Sequence, residues 1–159
     1  GDPHFVPRLV ARARAGQLRQ IGEDDKLVDC SYIDNVVDAH LLAADKLSFE
    51  LNGRAYFITN GEPRPTWQIF GAILEAAGAP PITRRISPGL AYAAGAVVEG
   101  LWRTLGIRSE PRMTRFLARE LSTAHWFDLG AARRDLGYAP KVSLDEGLER
   151  LAAAFREAA

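Results

Sequence analysis

The 159-residue chain has one cysteine, Cys30, and one methionine, Met113, and it starts on Gly1 rather than on Met. A lone cysteine excludes a disulfide framework and a thiolate metal site. Cys30 lies in a strand-like run, where a buried, inert thiol is expected. The three histidines, His4, His40 and His125, are far apart and show no His-x-x-x-His or Glu-x-x-His spacing, so no metal site is expected. Charge of one sign is also missing: 20 basic residues balance 20 acidic ones. Nucleic-acid binding needs a basic excess or stripe, so that class is excluded. The longest weakly charged run, Ser87 to Leu101, is broken by Glu99 and is followed by Arg103. It falls short of the roughly 18 to 20 apolar residues that a membrane span requires.

Three chemical signatures are absent as well. None of the 14 glycines falls in a Gly-x-Gly-x-x-Gly or Gly-x-x-Gly-x-x-Gly turn, so no glycine-rich loop is expected to cradle a pyrophosphate. No tyrosine is followed four residues later by lysine; Val36, Asn60, Ala96 and Val142 stand at those positions. No Gly-x-Ser-x-Gly elbow supports a hydrolytic triad.

The punctuation that is present predicts six or so helices and two strands. Asp2 caps a first helix with Pro3 at its first position, Phe5, Leu9, Val10 and Ala13 form its stripe, and Gly16 stops it. Leu27–Ile33 reads as a strand, and Asp34 or Asn35 as the cap of a helix reaching about Leu47. Ala55–Thr59 reads as a second strand, apolar enough to be buried on both faces as in a parallel sheet. Thr66 caps a helix carrying Phe70, Ile73, Leu74 and Ala77, and Ala79-Pro80-Pro81 is a connector. Ser87 with Pro88 opens a long apolar helix ending at Gly106, and a shorter helix spans about Met113 to Leu121. His125–Asp128 is extended, and a helical turn over Ala131–Leu136 is stopped by Gly137. Ser143-Leu144-Asp145-Glu146 is a capping box for a last helix with Leu144, Leu148, Leu151 and Phe155 on its core face. Trp67, Trp102 and Trp126 are expected in the core.

Two strands among six helices do not make a self-sufficient sheet. Together with the start on Gly1, this predicts that residues 1–159 are the later part of a longer protein.

The order of segments then resembles a known family. Gly1-Asp2-Pro3 before a helix is similar to the end of the Gly-Pro-x-Asp segment of extended short-chain dehydrogenases. The run from Asp29 to His40, with Asn35 and the Ala39-His40 pair, resembles the 3β-hydroxysteroid dehydrogenase branch. So do Ala55–Asn60 and the stretch Ala132-Arg133-Arg134-Asp135-Leu136-Gly137-Tyr138, Pro140, Val142-Ser143 and Glu146-Gly147. Met113–Phe116 and Leu121–His125 are most similar to bacterial members acting on 2-alkyl-3-oxoalkanoates.

The resemblance implies an α/β fold: the C-terminal part of a doubly wound, Rossmann-like parallel sheet plus a mostly helical substrate-binding subdomain. It implies hydride transfer between NAD or NADP, bound mainly by an absent N-terminal part, and a secondary alcohol or ketone on a bulky hydrophobic substrate. That substrate is sterol-like or 2-alkyl-3-oxoalkanoate-like. The family's catalytic Tyr, Lys and Ser or Thr map onto no residue of this chain, so residues 1–159 alone are expected to be inactive. Phe5, Val6, Tyr32 and Asn35 are the expected substrate-binding residues, with the helix of Leu90–Leu101 as a candidate wall. Each has a structural alternative: core packing for Phe5, a packed ring for Tyr32 and a helix cap for Asn35. The helix over 87–105 is open between a core helix, a lid for acyl chains and a peripheral membrane contact. A homodimer is compatible with the resemblance, and the cytoplasm is the default location. Two other readings stay open: a non-catalytic module for an apolar ligand or partner, and a portion of a nucleotide-sugar epimerase or dehydratase.

Overall fold

In the computed structural model, which describes residues 5–23, 26–109, 111 and 113–157, the chain divides into two compact units. The first joins residues 1–26 to 65–124 and the second joins 27–64 to 125–159. In chain order the elements are α1 (Phe5–Arg14), β1 (Gln20–Ile21), β2 (Leu27–Val28), α2 (Ile33–Asp45), β3 (Arg64–Pro65), α3 (Thr66–Ala76), β4 (Arg85–Ile86), α4 (Pro88–Thr104), α5 (Arg115–Glu120) and α6 (Leu144–Glu157). The expected cap at Asp2 and Pro3 lies outside the described residues. Among the described residues, no helix is long and apolar enough to cross a membrane.

In the first unit, α1 buries Leu9, Val10 and Ala13 on one face. The fourth member of the expected stripe, Phe5, is 48% exposed and meets Phe70 edge-on with ring centroids 5.5 Å apart. α3 buries Trp67, Ile69, Ile73 and Leu74. Its expected cap is corrected: Pro65 holds the cap position, and the Thr66 hydroxyl donates to the Lys26 carbonyl at 3.0 Å. The Thr66 N–H donates to that same carbonyl, also at 3.0 Å, so this residue ties the start of α3 to the chain leaving β1. Ile21, Trp67, Ala91 and Ala118 form the core, with Phe70, Ile82, Ile86, Met113 and Leu121 packed around them.

α4 opens as its sequence predicts. The Ser87 hydroxyl accepts from the Leu90 N–H at 3.3 Å, and Pro88, which lacks an N–H, takes the first helical position. α5 is capped in the same way by Thr114, whose hydroxyl accepts from the Leu117 N–H at 3.0 Å. The two helices touch through small residues, Ala91 and Gly95, both buried.

Beside that contact, the Glu99 carboxylate accepts from the Arg115 backbone N–H and from its Nε, each at 2.7 Å. These bonds hold the Glu99 carboxyl below the usual carboxylate range, the backbone bond first and the side-chain bond second. A carboxylate depressed in the folded state stabilises at pH values above its unfolded pKa, and that contribution is lost as pH falls through the folded value. The Glu99→Gln variant is therefore expected to show a shallower acid-side decline in stability. Urea midpoints followed from neutral to strongly acidic pH check this, and parallel curves for the two proteins would contradict it.

In the second unit, Ala39, Leu129, Ala132, Leu136 and Tyr138 form the core. The expected strand over 27–33 is confined to β2, which makes a parallel bridge from Val28 to His125. α2 then starts early, with Tyr32 at the cap position and no side-chain cap bond. Asp34 and Asn35 therefore lie inside the helix rather than capping it. Asp34 accepts from Arg150 at 3.0 Å.

The expected second strand over Ala55–Thr59 is also corrected. It has no ladder among the described residues, and Phe57 is 57% exposed. Phe57 stacks instead on Phe127, with centroids 4.1 Å apart and planes 8° from parallel. A strand requires a row of backbone pairs, and this segment has point tethers. The Ser31 hydroxyl donates to the Ile58 carbonyl at 2.9 Å, and the buried Tyr138 hydroxyl donates to the Thr59 carbonyl at 2.8 Å.

The capping box of α6 forms by half. The Ser143 hydroxyl accepts from the Glu146 N–H at 3.1 Å, but the Glu146 carboxylate turns to Arg150 at 2.7 Å. The Leu144 N–H is satisfied by Glu62 at 3.0 Å. Leu144, Leu148, Leu151 and Phe155 are half-buried. Cys30 is half-buried, and burial, followed by the neighbouring Asp29 charge, raises its thiol pKa, which disfavours the thiolate. Of the tryptophans, Trp67 is buried, Trp102 half-buried and Trp126, against expectation, 57% exposed.

Candidate substrate cleft

Two parallel strands in the first unit create a recess. β1 and β4 pair in the register Gln20 to Arg85 and Ile21 to Ile86. Beyond their carboxyl ends lies a cleft of about 460 Å³, lined by Ile21, Gly22, Glu23, Lys26, Arg85, Ile86, Ser87, Pro88 and Ser122. The position follows the general rule for parallel strands, whose carboxyl ends diverge into loops and leave a crevice.

Local chemistry shapes this recess. The Gly22 N–H donates to the Ile86 carbonyl at 2.9 Å, which continues the pairing one residue past β1. Gly22 has φ of +72°, and a Cβ there would stand 3.2 Å from Pro88 Cγ. Glycine therefore serves both the turn and the close approach to the start of α4. Ile21, only 1% exposed, with Ile86 and Pro88, supplies apolar wall.

The polar lining consists of Glu23, Lys26, Arg85, Ser87 and Ser122. Ser122 donates to the Ala118 carbonyl at 2.8 Å, so its proton is committed and its lone pairs remain. Arg85 and Glu23 pair at 3.4 Å with both side chains well exposed, an interaction of small energetic weight. An apolar wall of Ile21, Ile86 and Pro88 with polar and charged groups beside it is compatible with a small-molecule site. Among the described residues, no group of His, Cys, Asp and Glu could hold a metal ion.

The four residues expected from sequence fall two and two between the units. Phe5 and Val6 stand at the start of α1, outside the lining of the cleft. Tyr32 is held in the second unit: Arg150 lies over its ring at 5.3 Å from the centroid, and its N–H donates to Asn60 Oδ1 at 2.9 Å. Asn35 is 1% exposed and fully engaged. Its Nδ2 donates to Asn60 Oδ1 at 2.9 Å and to the Val142 carbonyl at 2.7 Å. Its Oδ1 accepts from the Lys141 and Val142 N–H groups at 2.9 and 3.0 Å. Two donors and two lone pairs are all that an amide side chain offers, so Asn35 has none left for a ligand.

Sequence reasoning missed the cleft itself, because β1 and β4 are two residues long. The available signal was Gly22 directly after an apolar residue, and Ile86 directly before the Ser87-Pro88 helix start.

These parallel strands and flanking helices belong to the doubly wound class. A solved structure of UDP-glucuronic acid 4-epimerase from Bacillus cereus, in complex with NAD, superposes with a TM-score of 0.61 at 18% identity. That match covers 99% of this chain and 41% of the epimerase, and it establishes the fold: the C-terminal part of a Rossmann-like sheet with a mostly helical subdomain.

The sequence profile of the 3-beta hydroxysteroid dehydrogenase/isomerase family matches residues 1–86, and the chain belongs to that family. It is 49% identical over 157 residues to the 2-alkyl-3-oxoalkanoate reductase of Shewanella oneidensis, covering 97% of this chain and 41% of the relative. It is likewise 49% identical over 155 residues to the 2-alkyl-3-oxoalkanoate reductase of Stenotrophomonas maltophilia, covering 96% of this chain and 47% of the relative. The chain thus spans less than half the length of these relatives and corresponds to their C-terminal part.

Proposed function

We propose that residues 1–159 are the substrate-side portion of an NAD(P)-dependent oxidoreductase. The reaction interconverts a secondary alcohol and a ketone on a bulky hydrophobic substrate of the 2-alkyl-3-oxoalkanoate kind. The observation that carries this reading is the 49% identity to a reductase of that substrate class, sustained over 157 residues. The cleft beyond β1 and β4 adds support, since its Ile21, Ile86 and Pro88 wall suits an alkyl chain.

Among the described residues, no glycine-rich turn opening a helix fits the dinucleotide. A pyrophosphate site needs a glycine-rich turn opening a helix. Here α2, α3, α4 and α5 open on Tyr32, Pro65, Ser87 and Thr114. No hydride-transfer step is therefore assigned to residues of this chain. Their part is to bind and orient substrate and to exclude water from its apolar portion.

The purified chain is expected neither to bind NADH or NADPH tightly nor to reduce a 2-alkyl-3-oxoalkanoate. Cofactor fluorescence and a spectrophotometric assay check both. Measurable turnover by the 159-residue chain would overturn the reading.

We also assign α4 a contact with an apolar surface. Leu90, Val97, Leu101 and Leu105 recur along one side of it and are 61, 62, 51 and 68% exposed. A peripheral membrane contact is expected to show as flotation of the chain with phospholipid vesicles. Flotation should be lost in a Leu101→Glu, Leu105→Glu double variant; equal flotation of both proteins would remove the assignment.

A further inference from the structure

A second cleft lies at the opposite ends of the same strands. Where the substrate cleft opens past the carboxyl ends of β1 and β4, this one, of about 180 Å³, lies at their amino ends. Its lining includes Ala13, Gly16, Arg19, Ile82, Thr83 and Arg84. The charge around it is one-sided. Residues 5–22 contain Arg8, Arg12, Arg14 and Arg19, residues 76–98 contain Arg84 and Arg85, and neither stretch contains an aspartate or glutamate. In a chain whose net formal charge is zero, these two acid-free segments meet at this cleft.

Two guanidinium groups are placed there differently. Arg19 is clamped: its NH1 donates to the Gly16 carbonyl at 2.9 Å and to the Leu18 carbonyl at 2.8 Å. Those bonds use one end of the planar fork and leave the Nε and NH2 donors. Arg84 is anchored through its backbone, since its carbonyl accepts from the Gln20 N–H at 2.8 Å, one residue from Arg19. Its side chain is exposed, and among the described residues it has no ion-pair partner.

We propose that this cleft binds a phosphoryl group, at a site separate from the substrate cleft. Arg19, Thr83 and Arg84 all line this cleft, and two guanidinium groups with a hydroxyl supply more donors than a planar carboxylate uses, which suits a compact anion with three or more acceptor oxygens. The clamped Arg19 enters the complex with its geometry already fixed, which reduces the ordering cost of binding. Occupancy would connect the end of α1 to the segment entering β4, the two segments that meet at the amino ends of the β1–β4 pair.

The test is a titration of the 159-residue chain with inorganic phosphate, followed by backbone amide shifts, with acetate as the second arm at matched ionic strength. Saturable shifts at Arg19, Thr83 and Arg84 are expected for phosphate, with acetate at least about tenfold weaker. Arg84→Gln should weaken phosphate by about tenfold or more, while Arg103→Gln, on exposed α4 surface, leaves it unchanged. If phosphate fails to saturate, if acetate binds equally, or if the two substitutions act equally, the assignment falls. The Arg84 variant carries the test even if Arg19→Gln does not fold, because the Arg84 side chain supports no backbone group.

Discussion

Replacing Asn35 with alanine is expected to cost about 3 to 5 kcal/mol of unfolding free energy, among the largest effects for a single side chain in this protein. The substitution removes four hydrogen bonds at once and leaves the N–H groups of Lys141 and Val142 without their acceptor. The Val142 N–H is buried and, once orphaned, costs its full desolvation, about 1 to 3 kcal/mol, while the Lys141 N–H is part-buried and costs less. The Val142 carbonyl keeps a second partner, Asn60 Nδ2 at 3.0 Å, so the loss is not total.

Asn35→Asp separates the two halves of the amide. Its oxygens still accept from Lys141 and Val142, but a carboxylate would face Asn60 Oδ1 and the Val142 carbonyl. A buried carboxylate beside acceptors has a raised pKa, so this variant should gain stability as pH falls toward that value, whereas Asn35→Ala should not. Urea unfolding of both variants across pH checks this. A loss below about 1 kcal/mol for Asn35→Ala would mean that the network does not hold residues 141–142 in place.

The second large effect is expected at Gly95. A Cβ there would lie 2.7 Å from Arg115 N, 2.7 Å from Thr114 C and 2.9 Å from Thr114 O. All three are backbone atoms, so no side chain can swing aside and α5 itself must move. Intrinsic helix propensity favours alanine over glycine by about 1 kcal/mol, while forced separation of packed helices costs about 1 to 3 kcal/mol or more. The steric term decides the sign, and Gly95→Ala is expected to destabilise by about 2 kcal/mol. Gly100→Ala, on the same helix with nothing within 4 Å of the added atom, is the control. It is expected to stabilise by up to about 1 kcal/mol. Thermal unfolding of the pair checks both signs, and stabilisation by Gly95→Ala would show that α4 and α5 are not held this closely.

What could be read in the sequence was mostly local. Ser87-Pro88 opens α4, Ser143 caps α6 and Gly137, with φ of +70°, ends the turn over 132–136. Each of these is a bond or dihedral made within a few residues, so neighbouring letters suffice to predict it. The failures were non-local. Thr66 has the chemistry of a cap, but the Lys26 carbonyl, 40 positions away, competes for its hydroxyl. Ala55–Thr59 has strand composition, but composition does not supply a partner strand, and Phe57 stacks on Phe127 instead.

Asn35 shows the same limit among the residues expected from sequence to bind substrate. An asparagine at a helix start looks like a cap or a ligand group, and only the approach of residues 60 and 141–142 reveals it as a junction. The candidate cleft was hidden because strands of two residues have no periodicity to read.

The most direct test of substrate binding by this chain is an amide-shift titration with a 2-alkyl-3-oxoalkanoate, run beside one with NADPH. Saturable shifts at Ile21, Gly22, Ile86 and Ser122 with the oxoalkanoate, and none with NADPH, are the expected result. Saturable NADPH binding, or oxoalkanoate shifts confined to residues outside this cleft, would contradict the assignment of the chain as a substrate-side portion that binds through the ends of β1 and β4.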